Sequence, residues 1–473
     1  MRKTRLAPQT ISEKIKMKLI FVSTNDCTPL PLSPKTCEMT IAIVRLSRAT
    51  TIFVPKVLRI FPNIVSIAAA KVHKLRIPIY SRFAKKDYLC PLKKDYMLIV
   101  HIPSWFPIPE KPLNGNFISR HIESLGDRVQ SVILHHVHPD FTPVLPQNAT
   151  LFPVEISSAN KLKLFNAYSS AFGQLIKTYG RPDILHLHVA LPMGPVAVRL
   201  SRQFRIPLVV SEHWTGYLPM NRTKLSLTER LMLRHTFRHA SHITAVSQNL
   251  LDNIAATVPV AAKKPQTVVG NVVDTAVFSQ KPILPARSKK QILHVSTLEN
   301  DAKNIMGILH AVDALKKRRE DFELNIVHDF RNILAETFVR ERGLGSIVHF
   351  LGRKSSGEIA ELLQQSDFFL LFSNHENQPC VLLESFCTGT PAITTPVGGI
   401  LEITNENNAV IVAPKDESQL VEKLDYMLDN SMQYNTGNIR KQAEEICSPD
   451  VIGNKWTGIY RNVVETQNYA SLP

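Results

Sequence analysis

Short apolar segments alternate with longer amphipathic segments from residue 96 to the end of the chain. In the first half, the predicted strands are the apolar segments at 97–103, 130–137, 183–189, 207–214 and 242–247. The amphipathic segments between them predict helices, at 118–126, 166–180, 195–204 and 229–240. This alternation predicts a parallel sheet with right-handed crossovers.

A second series of the same kind follows. Its predicted strands are 291–298, 322–328, 347–352 and 367–373, with a helix at 304–320. The segment 282–290, rich in proline and lysine, separates the two series and predicts a linker. The pattern therefore predicts two doubly wound α/β domains that face a cleft. Such sheets bind ligands beyond the carboxyl ends of their strands.

Composition narrows the class of protein only a little. The 473 residues are 44% hydrophobic and 20% charged, which is typical of soluble globular proteins. The six cysteines include no C-x-x-C pair, so neither a disulfide framework nor a zinc site is predicted. His135 and His136 are adjacent on a predicted strand and point to opposite faces, which argues against a metal site in LHHVHPD. The first domain has no G-x-G-x-x-G, so dinucleotide binding has no support.

The charge of the chain is concentrated at its beginning. The net charge is +16, and residues 1–95 contain 19 Lys and Arg against 5 Asp and Glu. The remaining residues contain 37 basic against 35 acidic side chains. Because the body is nearly neutral, it does not predict nucleic-acid binding.

Two interpretations stand for residues 1–95. One is a basic amphipathic arm that lies on an anionic membrane surface. The other, which we favour, is that these residues are not part of the functional protein and that the native start is Met97, because MLIVHIPSWFP reads as the first strand of a domain. Neither a membrane-spanning run of about 18 apolar residues nor a secretory signal is predicted in this segment.

The segment 373–403, SNHENQPCVLLESFCTGTPAITTPVGGILEI, keeps two carboxylates in an apolar setting. It resembles the signature of retaining glycosyltransferases of glycosyltransferase family 4, which have the GT-B fold. The positions that match the family pattern are Ser373, Glu376, Glu384, Gly389, Pro391, Gly398, Gly399 and Glu402.

Other segments resemble the family in the same order along the chain. They are 102–117 (first strand and glycine loop), 186–188 and 211–214 (histidine-bearing strand ends), 268–278 (domain junction) and 451–464 (terminal helix). The resemblance implies a GT-B protein with a basic N-terminal extension at 1–95. It further implies an acceptor-side domain at 96–281, a donor-binding domain at 282–450 and a helix at 451–473 that crosses back to the first domain.

The chemistry of a sugar nucleotide agrees with this pattern. A diphosphate needs cations and backbone N–H groups, and hydroxyl groups need fixed carboxylate acceptors. The resemblance implies that Glu384 binds the ribose and that Glu376 is catalytic, beside the reacting carbon. It also implies that Lys303 binds the donor phosphates. The remaining donor-binding residues that it implies are Asn377, Gln378, Pro379, Cys380, Val381, Asn271 and Arg353.

In the first domain, the resemblance implies that His213 is catalytic and that Gly115 and His188 approach the acceptor or the phosphates. Each of the three also has a structural interpretation. Strand-end histidines are often part of the core, and Asn-Gly is a common turn.

The sequence departs from the family at the second phosphate cation. The family has Gly-Arg shortly before the lysine, whereas this chain has Ser296 and Thr297. The cations that could take its place are Arg287, Lys289, Lys290, Arg353 and Lys354. A lesser departure is Gly-Asn-Val at 270–272, where the family has Pro-Asn-Gly.

The resemblance implies transfer of a hexosyl group from a nucleoside-diphosphate sugar to a hydroxyl acceptor, with retention and without a metal or other cofactor. The expected acceptor is a glycan or a lipid-linked glycan, such as a precursor of lipopolysaccharide or another surface polysaccharide. The expected location is cytoplasmic or peripheral on the inner membrane face, with contact to the membrane surface. The alternatives are a non-catalytic GT-B scaffold protein and, ranked lower, a sugar-nucleotide epimerase.

Overall fold

The structure, a computed structural model, describes residues 96–107, 114–136, 143–156, 161–283, 285 and 287–470. The predictions for 1–95, and the parts of two motifs at 108–113 and 137–140, lie outside the described residues. None of the described helices is long and apolar enough to cross a membrane.

The first domain is a parallel sheet whose strand order is β3-β2-β1-β4-β5-β6-β7. Its strands are β1 (Met97–Pro103), β2 (Val129–His136), β3 (Ala149–Val154), β4 (Ile184–His188), β5 (Leu208–Glu212), β6 (His242–Ala245) and β7 (Gln266–Val268). Its helices are α1 (Asn116–Ser124), α2 (Lys161–Tyr179), α3 (Gly194–Phe204), α4 (Pro219–Arg222), α5 (Leu227–His239) and α6 (Gln248–Thr257).

The second domain is a parallel sheet whose strand order is β10-β9-β8-β11-β12-β13. Its strands are β8 (Lys290–Ser296), β9 (Phe322–His328), β10 (Val348–Gly352), β11 (Phe368–Leu371), β12 (Ala392–Thr394) and β13 (Ala409–Ile411). Its helices are α7 (Asn300–Lys303), α8 (Ile305–Lys316), α9 (Ile333–Glu341), α10 (Ser356–Gln365), α11 (Cys380–Cys387), α12 (Glu417–Asn430) and α13 (Thr436–Cys447).

The predicted fold of two Rossmann-like domains is confirmed. The apolar run around β11 forms a strand in which every residue is buried, and β11 pairs with β8 and β12 in the interior of the sheet. Strands β3, β7, β12 and β13 were not predicted from the apolar pattern. β3 and β7 lie at the edges of the first sheet and are only partly buried, so neither carries a clear apolar pattern. β12 and β13 are three residues long each, which is too short for a pattern to show.

The last helix, α14 (Pro449–Ala470), packs on the first domain. Its residues Trp456 and Tyr460 are buried with Ile99 of β1 and Val209 of β5 in one apolar cluster. The chain therefore returns to its first sheet after completing the second.

Candidate active site

The site lies where strand order reverses in the second sheet. Strand β8 has β9 on one side and β11 on the other. The connections that follow β8 and β11 therefore leave the same edge of the sheet, at the carboxyl ends of these strands, in opposite directions. This is the position at which open α/β sheets leave a crevice for ligands. Helix α7 follows β8, and the loop 372–379 with helix α11 follows β11.

Lys303 and Glu376 meet at this edge. Lys303 is the last residue of α7, and its Nζ lies 2.5 Å from Oε1 of Glu376. The same carboxylate oxygen accepts a hydrogen bond of 2.8 Å from Oγ of Ser373. The backbone N–H of Asn374 donates to the carbonyl of Ala302, at 2.8 Å, which ties the two connections together. The structure thus brings together two residues that are 73 positions apart.

Glu384 is buried on α11 and pairs with a residue of the first domain. Its Oε1 accepts a hydrogen bond of 2.7 Å from Nη1 of Arg120, which lies on α1. Sequence reasoning missed Arg120, because the two residues are 264 positions apart and belong to different domains. No periodicity or motif in the sequence marks this arginine.

The amino end of α11 has no side-chain cap. Pro379 occupies the N-cap position, and its side chain has no oxygen atom that could accept a hydrogen bond from a helix N–H group. The first N–H groups of a helix have no partner within the helix, so an uncapped start is suited to bind an anion. Cys380 is the first residue of α11, and burial raises the pKa of its thiol to about 11, so the thiol is neutral. Val381 follows it and is partly buried.

The loop before α11 is held from the first domain. The side-chain amide of Asn377 donates to the carbonyl of His213 at 2.6 Å. The backbone N–H of Asn271 donates to Oε1 of Gln378 at 2.6 Å, and its side-chain amide donates to the carbonyl of Gln378 at 2.8 Å. Asn271 is therefore a support for this loop. Its predicted donor contact stays a prediction.

Two glycines allow the chain to pass behind Glu376. Gly398 has a φ of +59°, and a Cβ at this position would lie 1.8 Å from the carbonyl oxygen of Glu376. A Cβ on Gly399 would lie 2.6 Å from the carbonyl oxygen of Asn377. The Gly-Gly pair of the motif therefore fixes the backbone that carries the acidic side chain.

On the first domain, His213 follows β5 and faces α1. Its ring lies 4.4 Å from that of Phe117 and 5.1 Å from that of His121, measured between centroids. Burial holds the pKa of His213 well below its ordinary value of 6.5, so the ring is neutral. Gly115 precedes α1 with a φ of +74°, and a Cβ there would lie 2.6 Å from the carbonyl oxygen of Trp105.

His188, which was predicted to approach the acceptor or the phosphates, has its side chain in the core, and that predicted contact stays a prediction. It is 1% exposed, and its Nε2 lies 3.0 Å from Nδ1 of His101. Its ring centroid lies 3.9 Å from that of His186. His101, His186 and His188 each have a ring nitrogen within 4.8 Å of a ring nitrogen of the other two. Among the described residues, they are the one group close enough to be considered as a metal site. Five of their six ring nitrogens already have hydrogen-bond partners, which is the pattern of a neutral network.

The cations proposed to replace the missing arginine lie elsewhere. Lys289 and Lys290 lie at the amino end of β8, whereas the site is at its carboxyl end. Arg353 follows the edge strand β10 and donates to Asp329 at 3.0 Å. Arg287 donates to the carbonyl of Gln365 at 2.9 Å, and Lys354 pairs with Glu358 at 3.0 Å. Arg353 is thus paired with Asp329, and its predicted contact with the donor stays a prediction.

Two family models match the chain side by side. The fold and the site at the carboxyl ends of β8 and β11 define a protein of the GT-B class. Residues 278–445 match the model for "Glycosyl transferases group 1", and residues 117–277 match the model for "Glycosyltransferase Family 4". Together the two models span residues 117–445, and the chain belongs to the family 4, group 1 type of glycosyltransferases that they describe.

Similar proteins agree with this assignment. The N-acetyl-α-D-glucosaminyl L-malate synthase of Bacillus anthracis is 27% identical over 298 residues, 60% of this chain and 75% of that protein. The MMP α-(1→4)-mannosyltransferase of Mycolicibacterium hassiacum is 25% identical over 274 residues, 57% of this chain and 62% of that protein. The structure of HepE from Anabaena in complex with UDP and glucose has a TM-score of 0.61 and 16% identity, and covers 80% of this chain and 100% of that one.

Proposed function

We propose that this chain is a retaining hexosyltransferase that uses a nucleoside-diphosphate sugar. The observation that carries the proposal is the contact of Lys303 with Glu376 beside the uncapped amino end of α11. A cation, a carboxylate and free helix N–H groups at one point match the charged and hydroxyl-bearing parts of such a donor.

The donor lies along the loop 376–381 in this proposal. Its diphosphate binds Lys303 and the N–H groups of Cys380 and Val381. Its ribose hydroxyls donate to Glu384, one turn further along α11. Its sugar hydroxyls donate to Glu376, whose backbone is fixed by the glycine pair behind it.

The transfer step breaks the bond between the anomeric carbon and the diphosphate oxygen. A bond forms between that carbon and the acceptor oxygen on the same face, and the acceptor proton passes to the departing diphosphate. The negative charge that develops on the diphosphate is stabilised by Lys303 and the helix N–H groups. The protein contributes chiefly by holding both reactants in place. The neutral ring of His213 faces the sugar from the first domain.

The acceptor in this proposal is a hydroxyl group of a glycan or of a lipid-linked glycan. The names of the similar proteins include a mannosyltransferase and a glucosaminyl malate synthase, which supports sugar transfer without deciding the acceptor. The UDP bound to HepE makes a uridine donor the first to test. A lipid-linked acceptor would bring the chain to the cytoplasmic face of a membrane, which co-sedimentation with anionic vesicles tests.

The experiment is a donor screen. The purified chain is incubated with UDP-, GDP- and ADP-sugars, and both nucleotide release and thermal shift are recorded. The proposal predicts a response to at least one donor, and proton NMR of the product then shows the same anomeric configuration as in the donor. No response to any donor, or an inverted product, would contradict it.

A second candidate is a GT-B scaffold protein without transferase activity. It is favoured by one observation, Thr297 in the place of the family's arginine. The same screen separates the two, because a scaffold releases no nucleotide from any donor and acceptor pair. Binding of a donor without release over many hours would support the scaffold.

A further inference from the structure

Arg120 lies on α1 of the first domain, and its guanidinium group reaches the second domain. It is the donor in the 2.7 Å hydrogen bond to Oε1 of Glu384. Its side chain is 20% exposed, and that of Glu384 is 5% exposed. The contact crosses the cleft between the domains, next to the amino end of α11.

Arg120 belongs to a group of four charged side chains around this helix end. One pair is Lys303 with Glu376, at 2.5 Å, and the other is Arg120 with Glu384, at 2.7 Å. Cys380, at the start of α11, lies within electrostatic reach of all four. Two cations and two carboxylates balance, so the group is neutral as it stands.

Resting on the function proposed above, we propose that Arg120 supplies the second cation for the donor diphosphate. It fills from the first domain the role that Thr297 leaves open in the second. When the donor enters, its ribose hydroxyls take the oxygens of Glu384, and its sugar hydroxyls take those of Glu376. The diphosphate then takes the two cations that these carboxylates release.

The type of side chain suits this role. The planar guanidinium group of an arginine can bind two phosphate oxygens at once, and it keeps its charge when partly buried. The arrangement also places one phosphate cation on each domain. The donor therefore holds the cleft closed with the same contacts that bind it.

A purely structural role for Arg120 leads to the opposite prediction. If Arg120 served only to hold Glu384, it would compete with the ribose for that carboxylate. Removing Arg120 would then leave nucleotide binding unchanged or make it tighter. A phosphate-binding role requires that binding of the diphosphate weakens while binding of the nucleoside does not.

The test measures binding of a nucleoside diphosphate and of the matching nucleoside by calorimetry, on the full chain. UDP and uridine are the first pair, followed by the guanosine and adenosine pairs. The variants are Arg120→Gln, Arg120→Ala and Arg120→Lys. The control is Arg128→Ala, which removes a nearby arginine that pairs with Asp450 on α14. Circular dichroism on each variant shows that it is folded.

Loss of a charged hydrogen bond predicts that Arg120→Gln and Arg120→Ala bind the diphosphate about 10- to 100-fold more weakly. Their affinity for the nucleoside stays within about twofold of wild type or rises, and Arg120→Lys recovers part of the loss. Unchanged or tighter diphosphate binding, or an equal loss for diphosphate and nucleoside, would overturn the inference and leave the proposed function standing. If the wild-type chain binds none of the diphosphates, the proposed function fails, and this inference fails with it.

Discussion

Lys303 and Glu376 form an ion pair, with Nζ and Oε1 2.5 Å apart. In our account, this pair opens when the diphosphate arrives, and Lys303 then stabilises the leaving group. Replacing it should therefore affect the reaction far more than the fold, because its side chain is partly exposed and contributes little to the core.

We predict that Lys303→Ala lowers the transfer rate about 100- to 1,000-fold, the range found when one donor to a developing negative charge is removed. The melting temperature should stay within a few degrees of wild type. The measurement is initial-rate kinetics with the donor found in the screen. Lys316→Ala, at the exposed end of α8, is the control, and a rate close to wild type for Lys303→Ala would refute the assignment.

Gly398 tests whether the backbone of Glu376 needs the close approach behind it. We predict that Gly398→Ala lowers the unfolding free energy by several kcal/mol. An alanine at a positive φ costs about 1 kcal/mol, and the clash of its Cβ with the Glu376 carbonyl oxygen adds the rest. Gly343→Ala is the matched control, since Gly343 also has a positive φ, +64°, and no atom within 4 Å of its added Cβ. Denaturant titration measures both variants, and equal losses would show that the close approach does not matter.

Residues that share one local motif could be singled out from the sequence. Glu376, Glu384 and the Gly398–Gly399 pair lie within one segment that resembles the family signature, and their roles toward the donor stay predictions. Arg120 could not be predicted, because its role depends on which helix the second domain meets. The burial of His188 could not be predicted either, since a strand-end histidine does not reveal which face of the sheet another helix covers.

Most of the central strands could be predicted, since a strand buried on both faces is a continuous apolar run. Edge strands β3 and β7 could not, because half-exposed strands carry a weak pattern. β12 and β13 could not, because three residues are too few to show one. The position of α14 is a tertiary feature that periodicity does not reveal. It followed only from the family resemblance.

We predict that α14 stabilises the first domain through Trp456. This side chain is 1% exposed, and its Nε1 donates to Nδ1 of His121 at 3.1 Å. Trp456→Ala should lower the unfolding free energy by about 3–5 kcal/mol. Trp456→Phe, which keeps most of the packing and loses the hydrogen bond, should cost much less. A Trp456→Ala variant within 1 kcal/mol of wild type, by the packing estimate, would show that α14 does not hold the domain.

Buried histidines make the stability of the folded protein depend on pH. Burial lowers the pKa of His101 to about 3 and that of His121 to about 4. It also lowers the pKa values of His186 and His188 well below 6.5. These rings stay neutral in the folded protein, whereas the unfolded chain takes up their protons as the pH falls below 6.5. The unfolded state then binds more protons, so acid favours unfolding.

We therefore predict that stability falls between pH 6.5 and pH 5, by up to about 1.4 kcal/mol per pH unit for each such histidine. Glu212 acts in the opposite sense. Burial raises its pKa to about 7, so its carboxyl group stabilises the fold as the pH decreases from 7 towards 4.5. Because Glu212 is a single carboxyl group, it offsets only part of the stability that the buried histidines lose in acid. Denaturant titrations at pH 7.5 and pH 5.5 check this, and equal stability at the two values would contradict it.

The two domains meet through the residues that are proposed to bind the donor. Arg120 contacts Glu384, and Asn377 contacts the carbonyl of His213. Glu402 accepts the N–H groups of Gln248 and Asn249 at the start of α6, at 2.8 and 2.9 Å. In our account, Arg120, Glu384 and Asn377 therefore serve both donor binding and the contact between the domains.

A crystal structure of the chain with a nucleoside diphosphate bound would show where the donor lies. We predict that the phosphates lie beside Lys303 and the amino end of α11, with the ribose hydroxyls on Glu384. We also predict that the contacts of Lys303 with Glu376 and of Arg120 with Glu384 have opened. A nucleotide bound elsewhere, or bound here with both ion pairs still closed, would refute the proposed donor site.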